Sequence, residues 1–416
     1  MCRRSIVTGV VLGCVLATLA GGPSRAADWP QWRGPERDGK LAEFVAPESW
    51  PDELKQVWKR EVGTGHSSPV VVGDRGFVFC REEENEVVRA VNLADGREQW
   101  SQSYPAPYEM NRAARSHGKG PKSTPVVADG RVFTLGISGI LSCWDAGSGE
   151  RVWQHEFSGQ FKKTSPLFGT AMSPVVEAGL LIAHVGGHDG GALTAFDPQT
   201  GQVRWQWAED GPAYTSPMVT TLAGTRQVIT QSQQACLGVS PADGSLLWKF
   251  PFETQYVMNI VTPVLLGDVV VISGYRKGTT AYRLRKEDGR WSPEEVWHNG
   301  DLSMFMSSPV LVGKRLFGFA QEDKGKLFCL DPATGAALWT SEGRMGENAA
   351  LVAAGDVLLA LTSNAELIVF KTDAERFEPV ARYRVADTPT WAHPVVVGNR
   401  VLIKDKDSLA LWAIGG

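Results

Sequence analysis

One short pattern recurs along the chain and limits the folds that it can adopt. An Asp, Asn or Ser is followed four residues later by Gly, and four residues after that by Trp. The Asp residues of two copies are 134 residues apart (331 − 197), which is about three times 45. A period of this length is typical of repeat proteins, in which each unit buries its apolar face against its neighbours. The five full copies are Asn92/Gly96/Trp100, Asp145/Gly149/Trp153, Asp197/Gly201/Trp205, Ser240/Gly244/Trp248 and Asp331/Gly335/Trp339.

A second landmark, a small residue followed by Pro and an apolar run, sets the number of repeats. It occurs seven times, and a degraded copy at Asn348-Ala349-Ala350 fills the one gap of nearly two periods. Within the copies, β-branched runs separated by Gly-Asp, Asp-Gly or Gly-Asn predict hairpins. Four antiparallel strands per copy predict an all-β, eight-bladed β-propeller. The prolines of this landmark are Pro69, Pro125, Pro174, Pro217, Pro263, Pro309 and Pro394.

The order of the landmarks predicts how the ring closes. Trp58 stands before the first Pro step, whereas the last copy ends at Leu411-Trp412 without the Asp-to-Trp pattern. We therefore expect Gln56–Val62 to form the outer strand of the blade that begins at Pro394. Closure of this kind joins the two ends of the propeller and removes open strand edges that would invite aggregation.

The repeated residues are interpreted as architecture rather than as a cofactor site. A turn-initial Asp or Asn accepts hydrogen bonds from backbone N–H groups two residues on, and Gly at the turn end adopts positive φ without a Cβ clash. The Trp is expected to pack between neighbouring blades. Burial of roughly 150–250 Å² per Trp would stabilise that contact by on the order of 4–6 kcal/mol.

The start of the chain is typical of an exported protein. Residues 1–26 combine a basic start, an apolar run and the small-residue site Ser24-Arg25-Ala26, which predict a cleaved signal peptide. Cys14 follows a rough lipobox, so attachment to lipid through Cys14 is an alternative. We divide the remainder into an N-terminal lead segment, 27–55, and a propeller, 56–416. The mature protein is expected in the periplasm or outside the cell.

Charge and cysteine content exclude several classes of protein. Without the leader, the 390 residues (416 − 26) carry 39 basic (42 − 3) and 46 acidic side chains, a net charge of about −7. Such a chain has no global attraction for nucleic acid. No later segment approaches the roughly 18 apolar residues of a transmembrane span. Four cysteines remain, without CxxC or CxxCH motifs; they are expected to be small buried residues, although export would permit pairing: Cys80, Cys143, Cys236 and Cys329.

The repeat resembles a known family. Its pattern A-x-D-x-x-T-G-x-x-x-W is similar to that of the pyrroloquinoline-quinone (PQQ)-like repeat. The stretch DWPQWRGPERDG, Asp28–Gly39, resembles the opening of bacterial exported PQQ-binding-like β-propellers, and the resemblance spans residues 28–416. The fold class that it implies includes quinoprotein alcohol dehydrogenases. It also includes the non-catalytic propeller lipoprotein of the outer-membrane barrel-assembly machinery.

The resemblance implies two functions of different kinds. Eight-bladed PQQ dehydrogenases hold the cofactor between a Trp floor and a disulfide of adjacent cysteines, with Ca²⁺ ligated by Glu, Asn and Asp. This chain has no Cys-Cys pair and is much shorter than such enzymes. We therefore expect a non-catalytic, monomeric scaffold without a cofactor, which binds an envelope or secreted protein, or a small ligand, at its channel mouth. The alternative is a PQQ- and Ca²⁺-dependent quinoprotein dehydrogenase that oxidises alcohols or sugars.

Candidate contact residues lie in loops that are expected to gather at one mouth of the channel. The long basic loop Ser101–Lys122 suits a carboxylate, a phosphate or an acidic partner, and a solvated insertion is the alternative. Aromatic and Met residues before the inner strands are interpreted for the most part as core packing at the blade tips, and an apolar funnel for a peptide or ring-shaped ligand is the functional hypothesis for this group. The funnel residues include Phe168, Met172, Tyr256, Met258, Met304, Phe305 and Met306. The candidate contacts are His66, Arg112, Arg115, His117, Lys122, Tyr214, Trp391 and His393.

A metal site has weaker support. His184, His188 and Asp189 lie within six residues of one another, between two glycine pairs. Imidazole and carboxylate groups suit Zn²⁺ and similar ions. A tight loop needs the same glycines for conformational reasons, so we predict no metal site and keep these three residues as weak candidates.

Overall fold

A computed structural model describes residues 28–41, 43–188 and 190–415. The predicted signal peptide, Cys14 and Asp189 lie outside the described residues. Within those ranges, no helix is long and apolar enough to cross a membrane. The four cysteines of the described ranges are buried free thiols.

The predicted eight-bladed β-propeller is confirmed: eight antiparallel blades of four strands form the ring, and one of these sheets has a fifth strand that pairs parallel. Two strands come before the first blade in the chain: β1 (Lys40–Leu41) and β2 (Lys55–Glu61). β1 pairs with the seventh blade, and β2 is part of the eighth blade. The strands of the first four blades are β3 Val70–Val72, β4 Arg75–Glu82, β5 Asn85–Asn92, β6 Glu98–Pro105; β7 Val126–Ala128, β8 Arg131–Leu135, β9 Leu141–Asp145, β10 Arg151–His155; β11 Val175–Glu177, β12 Leu180–Gly187, β13 Gly190–Phe196, β14 Val203–Trp207; β15 Met218–Leu222, β16 Thr225–Gln231, β17 Ala235–Val239 and β18 Leu246–Pro251.

The remaining four blades repeat the same meander. Their strands are β19 Val264–Leu266, β20 Val269–Ser273, β21 Thr279–Glu287, β22 Arg290–Asn299; β23 Val310–Val312, β24 Arg315–Ala320, β25 Lys326–Leu330, β26 Ala337–Thr340; β27 Ala349–Ala354, β28 Val357–Thr362, β29 Glu366–Lys371, β30 Pro379–Arg384; β31 Val395–Val397, β32 Arg400–Lys404 and β33 Ser408–Ala413. Short 3-10 helices occur at Arg112–His117, Gln255–Val257 and Glu322–Lys324.

Ring closure also follows the prediction. β2 is the outer strand of the eighth blade and pairs antiparallel with β33, from Lys55 opposite Ala413 to Glu61 opposite Ser408. The first and last parts of the propeller therefore share one sheet. Since the closing strand is supplied by the other end of the chain, the outer edge of β33 is paired rather than exposed.

The turn glycine of the repeat lies under a Trp of the preceding blade. The sequence analysis assigned these glycines only to the conformation of the turn, and they do have positive φ. The structure corrects this interpretation by adding a second reason: the glycines are buried, and a Cβ placed on any of them would collide with the neighbouring blade. The distances from such a Cβ to the Trp ring are Gly96–Trp58 2.6 Å, Gly149–Trp100 2.6 Å, Gly201–Trp153 2.9 Å, Gly244–Trp205 2.4 Å and Gly335–Trp297 2.3 Å.

The same Trp side chains also bond to the next blade. Each indole N–H donates to a backbone carbonyl in the turn that the ring covers, and Trp339 makes this hydrogen bond to a turn that lacks the glycine. The contact between blades therefore combines apolar packing with a hydrogen bond. The donor–acceptor pairs are Trp58–Leu93 (3.0 Å), Trp100–Ala146 (3.2 Å), Trp153–Pro198 (3.0 Å), Trp205–Pro241 (2.9 Å), Trp297–Pro332 (2.9 Å) and Trp339–Ala374 (3.2 Å).

Two interfaces have other contacts in place of this hydrogen bond. In the fourth blade, Trp248 donates to Gln227 of its own sheet at 2.6 Å, and a stacked pair, Phe250 and Tyr282, joins blades four and five at 4.2 Å between ring centroids. In the seventh blade, the Tyr383 hydroxyl donates to the Pro51 carbonyl at 2.8 Å. Copies five and seven of the repeat are incomplete. The pairing of a Trp with a turn glycine is therefore absent at these two interfaces.

A second set of inter-blade hydrogen bonds surrounds the channel. In five of the seven copies with a Pro, the residue before the Pro donates its backbone N–H to a hydroxyl at the same position of the next blade. This pattern was not predicted from the sequence, although it explains why Ser and Thr precede the prolines. The pairs are Ser68–Thr124 (3.2 Å), Thr124–Ser173 (2.9 Å), Ser173–Ser216 (2.9 Å), Thr262–Ser308 (3.0 Å) and His393–Ser68 (2.8 Å).

The lead segment fills the axial channel, which the sequence did not predict. Trp29 pairs antiparallel with Val71 of β3, and β1 pairs parallel with β27. The segment therefore runs along the channel in one direction and returns in the other. Its tip turns at Arg33 and Gly34, both of which have positive φ. We call residues 28–41 the plug.

The plug is held by two buried arginines. Arg37 donates to the carbonyls of Pro174 (3.0 Å), Pro217 (2.6 Å) and Ser173 (3.1 Å), and Arg33 donates to the Pro309 carbonyl. Inner strands are the edges of their sheets, so these carbonyls have no partner within the blade. Burial lowers the pKa of Arg33 to about 10 and that of Arg37 to about 9. Both guanidinium groups therefore stay charged at neutral pH.

The Trp contacts generate a first prediction. Trp205→Ala should lower the free energy of unfolding by about 3–5 kcal/mol, because the ring is lost from a packed interface. Val203, on the same strand, is 50% exposed, so Val203→Ala should change it by less than about 0.5 kcal/mol. Chemical denaturation of both variants measures the difference. Equal effects would contradict the assigned role of the Trp ring.

The plug generates a second prediction. Arg37→Met keeps much of the side-chain volume but leaves three inner-strand carbonyls without their donor, so stability should fall by about 3 kcal/mol. Arg97 is the matched control, because its side chain is 82% exposed and Arg97→Met should be nearly neutral. The urea midpoints of the two variants measure this difference in stability. An unchanged midpoint for Arg37→Met would show that the plug does not stabilise the propeller.

Candidate functional site

A cavity of about 440 Å³ lies on the axis at the channel mouth where the 3-10 helix Arg112–His117 is found. Every blade contributes to it by the same rule. The residue three positions before each landmark Pro lines the cavity, and in the degraded seventh copy the residue three positions before Ala350 does so. In blade order these residues are His66, Lys122, Ala171, Tyr214, Ile260, Met306, Glu347 and Trp391.

The plug closes the cavity from below. The indole of Trp32, at the tip of the plug, lines the cavity and donates to the Thr262 hydroxyl at 3.1 Å. On its other side, Trp32 contacts the ring of His393, with 4.5 Å between centroids. His393 is buried beneath the floor, and burial lowers its pKa to about 3. The predicted contact residue His393 therefore supports the floor and does not line the cavity.

Two histidines and a Trp form one wall. His66 bonds through Nε2 to the His117 carbonyl at 2.9 Å, and His117 packs edge-on against Trp391 at 4.7 Å. Burial lowers the pKa of His66 to about 3 and also lowers the pKa of His117. Both imidazoles are therefore neutral near pH 7, and this wall is aromatic and uncharged.

Lys122 supplies the positive charge of the cavity. Its Nζ donates to the Phe168 carbonyl at 2.8 Å. Burial lowers the pKa of Lys122 to about 8, and no carboxylate contributes to that shift. The ammonium is mostly protonated at neutral pH and no carboxylate of the described residues bonds to it, so it is available to pair with a negatively charged group of a ligand, although the cavity also contains the carboxylate of Glu347.

The oxygen donors of the cavity do not fit the calcium set that the resemblance implies. Among the described lining residues, Glu347 is the one carboxylate and Asn348 the one amide. The Oδ1 atom of Asn348 already accepts a hydrogen bond from the Ser307 hydroxyl at 2.6 Å. Ca²⁺ needs six to eight oxygen ligands, of which several are normally carboxylates. No group of three His, Cys, Asp or Glu side chains within residues 28–41, 43–188 and 190–415 is placed to hold a metal ion.

Arg112 and Arg115 lie outside the cavity, in a second depression at the rim. This depression, of about 710 Å³, runs between the loop that follows the first blade and the loop around Lys162. We call it the rim groove. The helix Arg112–His117 separates it from the mouth cavity, because Ala113, Ser116 and His117 line the cavity whereas both arginines line the groove.

The residues of the repeat motif lie apart from both depressions. The turn glycines are buried between blades under their Trp rings, and neither the mouth cavity nor the rim groove is lined by any motif position. Their placement agrees with the interpretation as architecture. The motif positions in question are Asn92, Gly96, Trp100, Asp145, Gly149, Trp153, Asp197, Gly201, Trp205, Gly244, Trp248, Asp331, Gly335 and Trp339.

The weak metal candidates are not gathered into one site within the described residues. His184 is buried in β12 and bonds through Nε2 to the Asp210 carbonyl at 3.1 Å, and burial lowers its pKa to about 4. His188 lines the rim groove and lies 6.0 Å from the Tyr214 ring. Asp189 is not among the described residues.

The predicted apolar funnel divides into two groups. Phe168, Tyr214, Met258, Phe305 and Met306 line the mouth cavity together with Trp391. Met172 and Met304 are instead buried in the core between blades, and Tyr256 is exposed, so for these three the funnel hypothesis was wrong. The sequence analysis missed Trp32, Glu347 and Asn348. The register of the Pro landmark would have identified Glu347, whereas no repeat pattern points to Trp32.

Several polar groups that line the cavity already take part in hydrogen bonds with the backbone. Two lining hydroxyls, Ser216 and Ser308, accept from backbone N–H groups in the ring around the channel. His66 bonds to the His117 carbonyl. The cavity is blind and largely aromatic, with an ammonium group, Lys122, and a carboxylate, Glu347, and most of its lining suits an apolar group of a ligand.

Comparison with known proteins places the repeats in a family. The family model described as "Outer membrane protein assembly factor BamB" matches residues 83–341 and 323–415. The protein of that name from Yersinia pestis is 23% identical over 368 residues, covering 84% of this chain and 86% of that protein. The one from Shewanella oneidensis is 23% identical over 232 residues, which is 52% of this chain and 56%, or just over half, of that protein. A quinohemoprotein alcohol dehydrogenase, ADH-IIG of Pseudomonas putida, is 27% identical over 46% of this chain and 29% of its own length.

Solved structures share the same architecture. The quinohemoprotein alcohol dehydrogenase from Comamonas testosteroni superposes with a TM-score of 0.67 at 15% identity, over 94% of this chain and 81% of that one. BamB from Moraxella catarrhalis superposes with a TM-score of 0.62 at 14% identity, over 86% and 97%. At these identities the likeness shows the fold alone. Since the family model covers most of the chain, this protein belongs to the PQQ-like β-propeller family described as outer membrane protein assembly factor BamB.

Proposed function

We propose that this protein is an exported, non-catalytic and monomeric propeller of the cell envelope that holds a partner protein at its channel mouth. The observation that carries the proposal is the mouth cavity, which all eight blades line and which Trp32 closes from below. A blind cavity is not a conduit through the ring. Its aromatic walls suit the large apolar side chains that anchor protein–protein contacts.

The relatives agree with a role in assembly. Those from Yersinia pestis and Shewanella oneidensis are named outer membrane protein assembly factors, and we extend to this chain the role of a scaffold among envelope proteins. A ring whose ends are joined by β2 and β33 does not need a second subunit to cover an open edge. The proposal therefore treats the monomer as the working form.

The proposal includes no resident cofactor. The dehydrogenase alternative would need a calcium set that Glu347 and Asn348 do not complete, and a pair of adjacent cysteines that the chain lacks. The aromatic floor and Lys122 would suit a flat anionic ring, so the alternative remains worth a direct measurement.

Calorimetric titration with PQQ, with and without Ca²⁺, makes that measurement. We expect no saturable heat in either condition, because the cavity offers one ammonium group and no complete set of calcium ligands. Dye-linked oxidation of alcohols and sugars after incubation with PQQ and Ca²⁺ should likewise stay at the background rate. Calcium-dependent binding near or below micromolar affinity would contradict the proposal and make the mouth an active site.

Site-specific photo-cross-linking in the native cell tests the proposed binding surface. A cross-linking amino acid at Ala113 or Phe305, which line the cavity, should give a discrete adduct with an envelope protein. The same amino acid at Val203 or Leu338, on exposed outer strands of the ring, should give none. The absence of adducts from both mouth positions, or identical adducts from the outer strands, would reject the mouth as the binding surface.

A further inference from the structure

The mouth cavity and the rim groove are two parts of one surface. They share a wall, the 3-10 helix Arg112–His117, which presents Ala113, Ala114, Ser116 and His117 to the cavity and Arg112 and Arg115 to the groove. The volumes are about 440 Å³ and about 710 Å³. A ligand that fills the cavity alone leaves the groove uncovered, whereas an extended chain crosses the helix and occupies both.

The two parts differ in chemistry. The cavity is largely aromatic and contains a cation, Lys122, and a carboxylate, Glu347, while the groove is polar and basic. Among the described residues, four basic side chains and one carboxylate, that of Glu109, line the groove. The basic residues are Arg112, Arg115, Lys162 and Lys163. The surface therefore carries local positive charge on a chain whose formal net charge is −4.

Much of this positive charge is not neutralised within the protein. Arg112, Arg115 and Lys162 form no salt bridge in the part of the chain that the structure describes, although other basic residues at this mouth do. Lys119, in the same loop, pairs with Glu84 at 3.0 Å. Lys122 has a carbonyl as its partner and no carboxylate. Complementary negative charge must come from the ligand if these cations are to be paired.

We infer that the occupant of this surface is an acidic segment of the partner protein, with one large apolar side chain anchored in the mouth cavity. Acidic residues next to the anchor pair with Lys122 and, across the helix, with Arg112, Arg115 and Lys162. The aromatic anchor supplies most of the affinity, and the charges select the partner and speed its association. This inference rests on the proposed function and specifies the chemistry of its partner.

Fluorescence polarisation with synthetic peptides tests the inference on the full mature protein. The probe is a labelled short peptide with a Phe-Leu pair followed by a run of Asp and Glu. Two matched peptides replace either the acidic run with Lys or the Phe-Leu pair with Ala. We expect the acidic, anchored peptide to bind with micromolar affinity that weakens with added salt, and each matched peptide to bind at least about tenfold more weakly.

Variants of the protein locate the binding. Lys122→Met in the cavity and Arg115→Glu in the groove should each weaken binding of the acidic peptide by about tenfold. Arg97→Glu is the control for a reversed charge, because Arg97 lies in the turn between β5 and β6 and is 82% exposed; it should leave binding unchanged. Arg115 is also exposed, so Arg115→Glu keeps the test free of a folding defect.

Several outcomes would overturn the inference. One is equal binding of the acidic peptides with and without the anchor, which would identify a general polyanion surface that nucleic acid or anionic lipid also occupies. Others are unchanged affinity in Arg115→Glu, or no binding of the acidic peptide up to about 1 mM. If cross-linking from Ala113 and Phe305 still yields a partner while the acidic peptide fails, the inference is wrong and the proposed function stands. If neither gives binding, both are wrong.

Discussion

The contact between a Trp of one blade and the turn glycine of the next determines how the rest of the protein is arranged. The Trp and the glycine of this contact lie in different repeats, so each blade buries its Trp only when the neighbouring blade is in place. Trp205 lies over Gly244 and donates to the Pro241 carbonyl, and Trp297 does the same to Gly335 and Pro332. The contact combines a hydrogen bond with a steric fit that depends on the absence of a side chain at the glycine. The period seen in the sequence is therefore the spacing of interfaces around the ring.

Closing such a ring creates a second constraint at its axis. Eight inner strands turn their unpaired edges towards the channel, and buried carbonyl groups without donors are costly. The plug supplies the donors. Arg37 reaches carbonyls of two blades and Arg33 that of a third, while Trp29 and β1 extend two further sheets. Guanidinium suits this position because its several N–H groups spread over a fixed fork and bond carbonyls of different blades at once.

The sequence predicted the fold because the fold is periodic. It did not predict the features that occur only once in the structure. Five copies of the Trp pattern and seven Pro steps give the number of blades and the identity of the closing strand. The plug occurs once, and no periodic signal marks Arg33, Arg37 or Trp32. The available hint was chemical: two arginines and two tryptophans stand together in a segment of 12 residues, DWPQWRGPERDG, that has no apolar run to bury.

The site was predictable to the extent that it follows the register of the repeats. His66, Lys122, Tyr214 and Trp391 each stand three positions before the Pro of their repeat and line the cavity. His393 stands one position before its Pro and lies beneath the floor, and Met172, two positions before, is buried in the core. Residue type alone could not separate these positions, since aromatic and Met side chains suit both a core and a binding surface. The position three residues before the Pro always lines the cavity. Other positions follow no common rule: Met258 and Met304 both stand five positions before their Pro, and Met258 lines the cavity whereas Met304 is buried.

This register explains how one fold can support unrelated functions. The Trp contacts and the hydroxyl ring fix the backbone, so the mouth is a rigid frame that holds one variable side chain from each blade. The tip of the plug adds the floor, and the loops after the outer strands add the rim. Side chains at these eight positions can differ without disturbing any interface between blades. In this chain those positions hold one ammonium, one carboxylate and six uncharged side chains, and the loop adds arginines at the rim.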